Sequence, residues 1–383
     1  GHIIECGCQA TGGNYSFFKE VPSFDNVGYP IAEIFEDGSF NITKHPGTGG
    51  LVSKGTVTAQ LLYEISSPAY VNPDVVSHFD TLKIEELEKD KVHVSGCRGS
   101  SPPKDHKVCI NLAGGFRNGM EIILTGMDIE EKAKVFTEVL FNSVGGQEQF
   151  DEVFIELQRT DKENPKTNEQ AMASLVISVK SSNQELVGRL FSAKIIELAL
   201  ANIPGFFAES GPKSSGPVII YWPALVDSKY ITEKVHIDDK EIEVMPTSQL
   251  DFEEIYYQRE PISIDDIEIS DQKEIYFGDL FGTRSGDKGG CANLGVWAKN
   301  NLSYSFLYNF LTIEKLKELL PDLSKYEIER FELPNINSLN FYIHDILEDG
   351  VSSNNRKDGQ AKSLGEYLRV KKILVPDSIL LET

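Results

Sequence analysis

Positive charge is scarce in this chain of 383 residues. Thirty-seven Lys and Arg stand against 59 Asp and Glu, a formal net charge of −22. Such a field repels nucleic acid and anionic membrane, so an anionic ligand needs a local basic pocket. Cysteine is also sparse. Cys6, Cys8, Cys97, Cys109 and Cys291 are odd in number and scattered, which points to a reducing compartment rather than a disulfide framework. The longest apolar runs, such as VIIYWPALV, fall far short of the roughly 20 residues of a spanning helix. No basic-then-apolar leader opens the chain. A cytoplasmic protein is expected. With 40% hydrophobic and 25% charged residues, the chain reads as globular, and its length calls for two or three domains. Gly1 runs at once into HIIECGCQ, which reads as a buried strand, so the first domain is expected to be incomplete.

Periodicity and turn signals divide the rest. In residues 1–104, IAEIFEDGSFNIT reads as a hairpin about Asp37-Gly38. TVTAQLLYEI carries helical spacing, and VHVSGCRGS is a strand entering a turn. Residues 105–226 read strand, helix, strand, strand, helix, strand. The segments are GMEIILTG, a helix capped by Asp128 and stopped by Gly145-Gly146, DEVFIELQRT, MASLVISVK, QELVGRLFSAKIIELALANI and PVIIYWPAL. That order is the ferredoxin-like pattern. Residues 227–272 read as an acidic connector. A second such module is expected over 273–383: strands EIYFGDLFG and LGVWAKN, helix SYSFLYNFLTIEKLKELL, strands YEIERFELP and NSLNFYIHDIL, helix AKSLGEYLRV and strand KKILVP. The fold class is therefore α+β, a partial α/β segment followed by two ferredoxin-like modules. Each module should form an antiparallel sheet with helices on one face.

Three glycine-rich stretches carry the candidate chemistry. GTRSGDKGGCANLG is neither a phosphate-binding loop ending in Gly-Lys nor a dinucleotide fingerprint. Arg284 and Lys288 could grip an anion, with Ser285, Asn293 and the backbone N–H groups of Gly286, Gly289 and Gly290 as donors. Asp287 would orient the basic pair or move a proton. The plainer alternative is a bulged hairpin holding an internal Arg284–Asp287 ion pair. TKHPGTGGLVSKGTVTAQ places Thr48, Gly49 and Gly50 before a helix, where an anion is favoured. His45 is an acid/base candidate by its ordinary pKa, or else a surface or capping residue. Thr11, Gly12 and Gly13 form a third close-approach turn, after a strand that sets His2, Cys6 and Cys8 on one face. No further Cys or His completes a ligand set, so no metal site and no disulfide is expected. The His45–Gly55 and Gly282–Asn293 stretches are expected to share one site.

Taken together, ECGCQATGGNYSF, TKHPGTGGLVSKGTVTAQLLYEI, YWPAL, GDLFGTRSGDKGGCANLGVWAKN and GQAKSLGEYLRVKKILVP resemble the acyclic terpene utilization protein A (AtuA) family over nearly the whole chain. The resemblance implies a further N-terminal portion in most members and a ferredoxin-like C-terminal part. It implies a role in the catabolism of acyclic terpenes such as citronellol and geraniol, alongside acyl-CoA carboxylases. It transfers no catalytic residue. Cys8 and Cys291 depart from the family pattern, the latter standing where an acidic residue is common, which argues against either as an essential nucleophile. The leading expectation is a catabolic enzyme acting on an acyl-CoA or branched organic acid, with coenzyme A entering only as part of the substrate. The alternatives are a non-catalytic acyl-CoA-binding subunit or sensor of a carboxylase, and a structural homo-oligomer.

Overall fold

The computed structural model describes residues 1–244 and 271–381. Most of the 227–272 connector thus lies outside the described residues. Chain contacts gather the described residues into two compact units. One comprises Gly1–Cys109, Pro223–Val351 and Asp358–Thr383; the other comprises Ile110–Trp222 and Ser352–Lys357.

The first 109 residues depart from the expected α/β arrangement. HIIECGC forms turns and a 3-10 turn at Gly7–Gln9 rather than a strand, so His2, Cys6 and Cys8 do not share a strand face. Strands β1 (Pro30–Ile34) and β2 (Phe40–Lys44) form the expected hairpin, in register Ile34↔Phe40. Its loop is longer than a two-residue turn. Gly38 takes φ +81°, and Asp37 Oδ1 accepts from the Ser39 N–H at 3.0 Å. Helix α1 (Lys54–Leu61) is opened by a capping box between Ser53 and Thr56. Its residues 56–61 are all buried, so it is a core helix without a wet face. Strands β3 (Ala69–Val71), β4 (Val76–His78), β5 (Lys83–Glu88), β6 (Lys91–Ser95) and β7 (Arg98–Ser100) complete this part. The sheets run β1-β2-β6-β5 and β3-β4-β7, all pairs antiparallel. The connections of β1 to β2, β3 to β4 and β5 to β6 are too short for a parallel crossover.

The middle part follows its expected order. Strand β8 (Asp105–Thr125) leads to α2 (Ile129–Ser143), then β9 (Glu152–Gln158), β10 (Met172–Ser181), α3 (Arg189–Glu197), a short β11 (Phe206–Ala208) and β12 (Gly216–Asp227). The sheet order is β11-β8-β10-β9 with β12 also on β8, the strand arrangement of a ferredoxin-like module. Along β10, Ala173, Leu175, Ile177 and Val179 alternate inward and pack with Phe136 of α2 and Phe191 of α3. Asp128 does not cap α2 through its side chain; it sits at φ +58°. Gly145 and Gly146, both at positive φ, end the helix, and the Gly146 N–H bonds to Phe141 C=O at 2.8 Å.

A hairpin follows, β13 (Glu233–Ile237) with β14 (Lys240–Val244). The stretch EIYFGDLFG is not one strand. It comprises the end of β15 (Gln272–Tyr276), one helical turn α4 (Phe277–Leu280) and the start of β16 (Phe281–Lys288). Then come β17 (Cys291–Ala298), α5 (Asn301–Phe310), α6 (Ile313–Leu319), β18 (Ile328–Leu333), β19 (Ser338–Ile343), α7 (Leu364–Arg369), β20 (Lys372–Pro376) and α8 (Asp377–Leu380). The single helix read at 303–320 breaks because Thr312 caps a new one, accepting from the Lys315 N–H at 3.1 Å. The sheet is antiparallel, β16-β17-β19-β18. Here β16 occupies the edge that the closing strand of a ferredoxin-like module would take, and β20 pairs with β15 instead.

Candidate functional site

The stretch GTRSGDKGG is a strand and a turn, not an open loop. Gly289 and Gly290 join β16 to β17 in the register Lys288↔Cys291, Gly286↔Asn293, Arg284↔Gly295 and Gly282↔Trp297. Trp297, Arg284 and Asn293 on this face are each opposed by a glycine. A Cβ at Gly282 would run into the Trp297 indole, at Gly286 into the Tyr63 ring, and at Gly295 into Leu62. The glycines let the end of α1, residues 62–64, press onto the ribbon, a close-approach role.

That contact builds a polar cluster. Asn293, fully buried, accepts from the Glu64 N–H at 2.8 Å and donates to Leu62 C=O at 2.5 Å and to Asn340 Oδ1 at 2.9 Å. Asn340 in turn donates to Ser66 C=O at 3.0 Å. This pair ends the helix and holds Glu64 at φ +57°, a conformation that few non-glycine residues adopt. Asn293 is therefore committed to the fold, not free for a ligand. Arg284 is only 8% exposed. Its guanidinium lies 4.2 Å above the Tyr63 ring, and its Nε and Nη2 are buried without a hydrogen-bond partner. It lines a cavity of about 230 Å³ together with Asn14, Ser16, Ser285, Lys362 and Gly365. Lys362 Nζ is 3.0 Å from Glu64 Oε1 and 3.7 Å from Asp287 Oδ1, and it contacts the Tyr63 hydroxyl.

Burial sets the electrostatics of this cluster. The Arg284 pKa falls to about 10 through desolvation, opposed by Glu64. Glu64 is pushed up to about 7, first by burial and then by the charge of Asp287. Burial also raises Asp287 and lowers Lys362 and Lys288. A carboxyl that titrates near neutrality beside an under-bonded guanidinium is suited to binding an anion and moving a proton.

The structure distributes the sequence candidates as follows. Arg284, Ser285 and Asp287 belong to this cluster. Asp287 pairs with Lys362, and no ion pair joins it to Arg284 among the described residues. Ser285 Oγ accepts from the Gly365 N–H at 3.1 Å. Lys288 lies 5.3 Å from the Tyr70 ring. Gly289 and Gly290 make the turn, with Gly290 C=O accepting from the Leu347 N–H. Thr11, Gly12, Gly13, His45, Thr48, Gly49 and Gly50 sit elsewhere. His45 is exposed, and its carbonyl accepts from Thr48 Oγ1 at 2.7 Å. Thr11 C=O takes the Leu51 N–H and Ser23 C=O takes the Gly50 N–H. The Gly12 and Gly13 N–H groups bond to Gln9 and Cys8 carbonyls. The N-terminus of α1 is served by the protein's own acids: Lys54 N–H donates to Glu86 at 2.6 Å and Val52 N–H to Asp90 at 2.9 Å. The first of the two stretches expected to share a site leads into this N-terminus, where Ser53 and Lys54 line a second cleft with Trp297 and Lys299. Arg284 and Glu64 gather at the other end of α1, whose eight residues rise about 12 Å.

Glu64, Tyr63 and Lys362 were not legible as site residues. Glu64 ends a helical pattern and Lys362 opens one, and only tertiary packing brings them together.

The fold and cluster define an α+β protein with antiparallel sheets and a small pocket built on a buried cation. The chain belongs to the acyclic terpene utilisation family AtuA. Residues 1–237 match the family model described as acyclic terpene utilisation family protein AtuA, and residues 276–374 match the AtuA ferredoxin-like domain. No curated protein and no solved structure matches the chain. No helix among the described residues is long and apolar enough to cross a membrane.

Proposed function

We propose that the chain is a catabolic enzyme of acyclic terpene utilisation that acts on a small organic acid or on the acyl end of an acyl-CoA. The anionic or carbonyl head lies on Arg284, and Glu64 moves the proton. The cavity of about 230 Å³ suits a head group and a short chain, so a coenzyme A portion would lie outside it.

The observation that carries this reading is Arg284: a guanidinium 8% exposed, two of whose nitrogens have no partner, lining a cavity. A buried unpaired cation is costly when it serves packing alone. The test is calorimetric titration with branched short-chain carboxylates and acyl-CoAs, alongside thermal melts. Arg284→Met should weaken binding by roughly ten- to 150-fold, the loss of one charge-assisted bond of about 1.5–3 kcal/mol, while the melting temperature holds or rises. A lower melting temperature with unchanged binding would make Arg284 a structural residue and remove this reading.

A further inference from the structure

We propose that Lys362 is an imine-forming lysine and that the pocket takes an oxo acid, its carboxylate on Arg284 and its carbonyl carbon at Lys362 Nζ. This rests on Arg284 as the anion anchor and adds the substrate's second functional group.

Arg284 and Lys362 line the same cavity. The amine is surrounded by three groups able to carry a proton: its two ion-pair partners, Glu64 Oε1 at 3.0 Å and Asp287 Oδ1 at 3.7 Å, and the Tyr63 hydroxyl. Its backbone is fixed by Asp358, whose carboxylate accepts from the Lys362 N–H at 2.9 Å and from the Ser363 N–H and hydroxyl at 2.8 and 2.6 Å. Burial lowers the Lys362 pKa and raises that of Glu64, so a proton can pass between them. A guanidinium for the carboxylate and a lysine flanked by an acid and a phenol are what imine formation on an oxo acid needs.

The step balances without a redox partner. Glu64 takes a proton from the Lys362 ammonium. The freed nitrogen lone pair forms the N–C bond as the carbonyl π pair moves to oxygen, which Glu64 protonates. Transfer of a further proton from nitrogen to that hydroxyl expels water and leaves a protonated C=N. Ammonium plus ketone gives protonated imine plus water. The protonated imine is then an electron sink for breaking a C–H or C–C bond beside it.

The experiment incubates the whole protein with pyruvate, acetoacetate or levulinate and cyanoborohydride, then reads intact mass and a peptide map. Calorimetry with the same acids runs in parallel. At least one acid should leave a single reduced adduct on Lys362, absent from Lys362→Arg. The map on the unaltered chain decides even if that variant folds poorly. An acid that binds in an Arg284-dependent way yet leaves no adduct overturns the imine and spares the anion site. An adduct confined to another lysine also overturns it. No binding by any of the three acids overturns this assignment, while binding of other carboxylates at Arg284 would still uphold the proposed function.

Discussion

Glu64 is the residue on which most depends. In the fold its pKa is pushed up to about 7 by burial, from 4.5. Between those two values the folded chain holds a proton that the unfolded chain has released. Stability therefore falls as pH rises from about 4.5 through about 7. Glu64→Gln removes that slope. Melts should show the variant gaining on the parent by on the order of 1 kcal/mol at pH 8, discounted for partial solvent screening, and little at pH 5. The ion pair with Lys362 at 3.0 Å works in the opposite direction. If the variant loses more at pH 8 than at pH 5, the pair outweighs desolvation and Glu64 is an ordinary ionised carboxylate. The same proton should govern ligand binding. A carboxylate probe should bind more tightly at pH 6 than at pH 8, because a neutral Glu64 does not repel it, and Glu64→Gln should flatten that dependence. Arg284, Ser285 and Asp287 were visible in sequence because charge among glycines is unusual. Glu64 was not, since nothing in TVTAQLLYEI distinguishes an exposed helix end from one turned onto a buried ribbon.

At the scale of elements, the glycine stretches were legible and the reason for the glycines was not. Density of glycine signals close approach, but not of what. In the β16–β17 ribbon the approaching partner is helix α1, and in the turn at Thr11–Gly13 it is neighbouring backbone. Helix α1, the first hairpin and the middle β-α-β-β-α-β order follow from periodicity and turn residues. The first residues do not, because an alternating apolar stretch of that length suits a strand and a packed turn alike. Gly295→Ala tests the ribbon. The added methyl meets Leu62, including its backbone oxygen, so an overpacking cost of about 1–3 kcal/mol is expected. Gly211→Ala, where a Cβ meets nothing within 4 Å, should leave the melting temperature unchanged. Equal melts for the two variants would mean that α1 can slide away from the ribbon without loss.

For the molecule as a whole, the ends of the chain build one unit, and the two matched family segments do not coincide with it. Residues 1–109 share a contact unit with 223–351 and 358–383. One hydrophobic cluster contains Ile42, Val57, Leu62 and Val94 from the first part and Trp297, Leu333 and Ile336 from the last. Tyr15 stacks on Trp297 at 6.2 Å, Ser16 Oγ donates to Thr283 C=O at 2.7 Å, and Asn335 donates to the Phe79 and Leu82 carbonyls at 2.9 and 2.8 Å. Sequence order concealed this, since the partners stand more than 200 residues apart and each half has its own plausible strand pattern. The consequence is that a 271–383 fragment should lack the cover over one face of its ribbon. The chain has two tryptophans: Trp222 is 56% exposed and Trp297 only 2%. In a Trp222→Phe background, Trp297 alone reports on that cover. Its emission should be red-shifted in the 271–383 fragment and return to the blue when the 1–237 fragment is added, with a cooperative melt appearing only in the mixture. Blue emission and a cooperative melt from 271–383 by itself would show that the C-terminal part is an independent domain, and that α1 docks on a ribbon already closed.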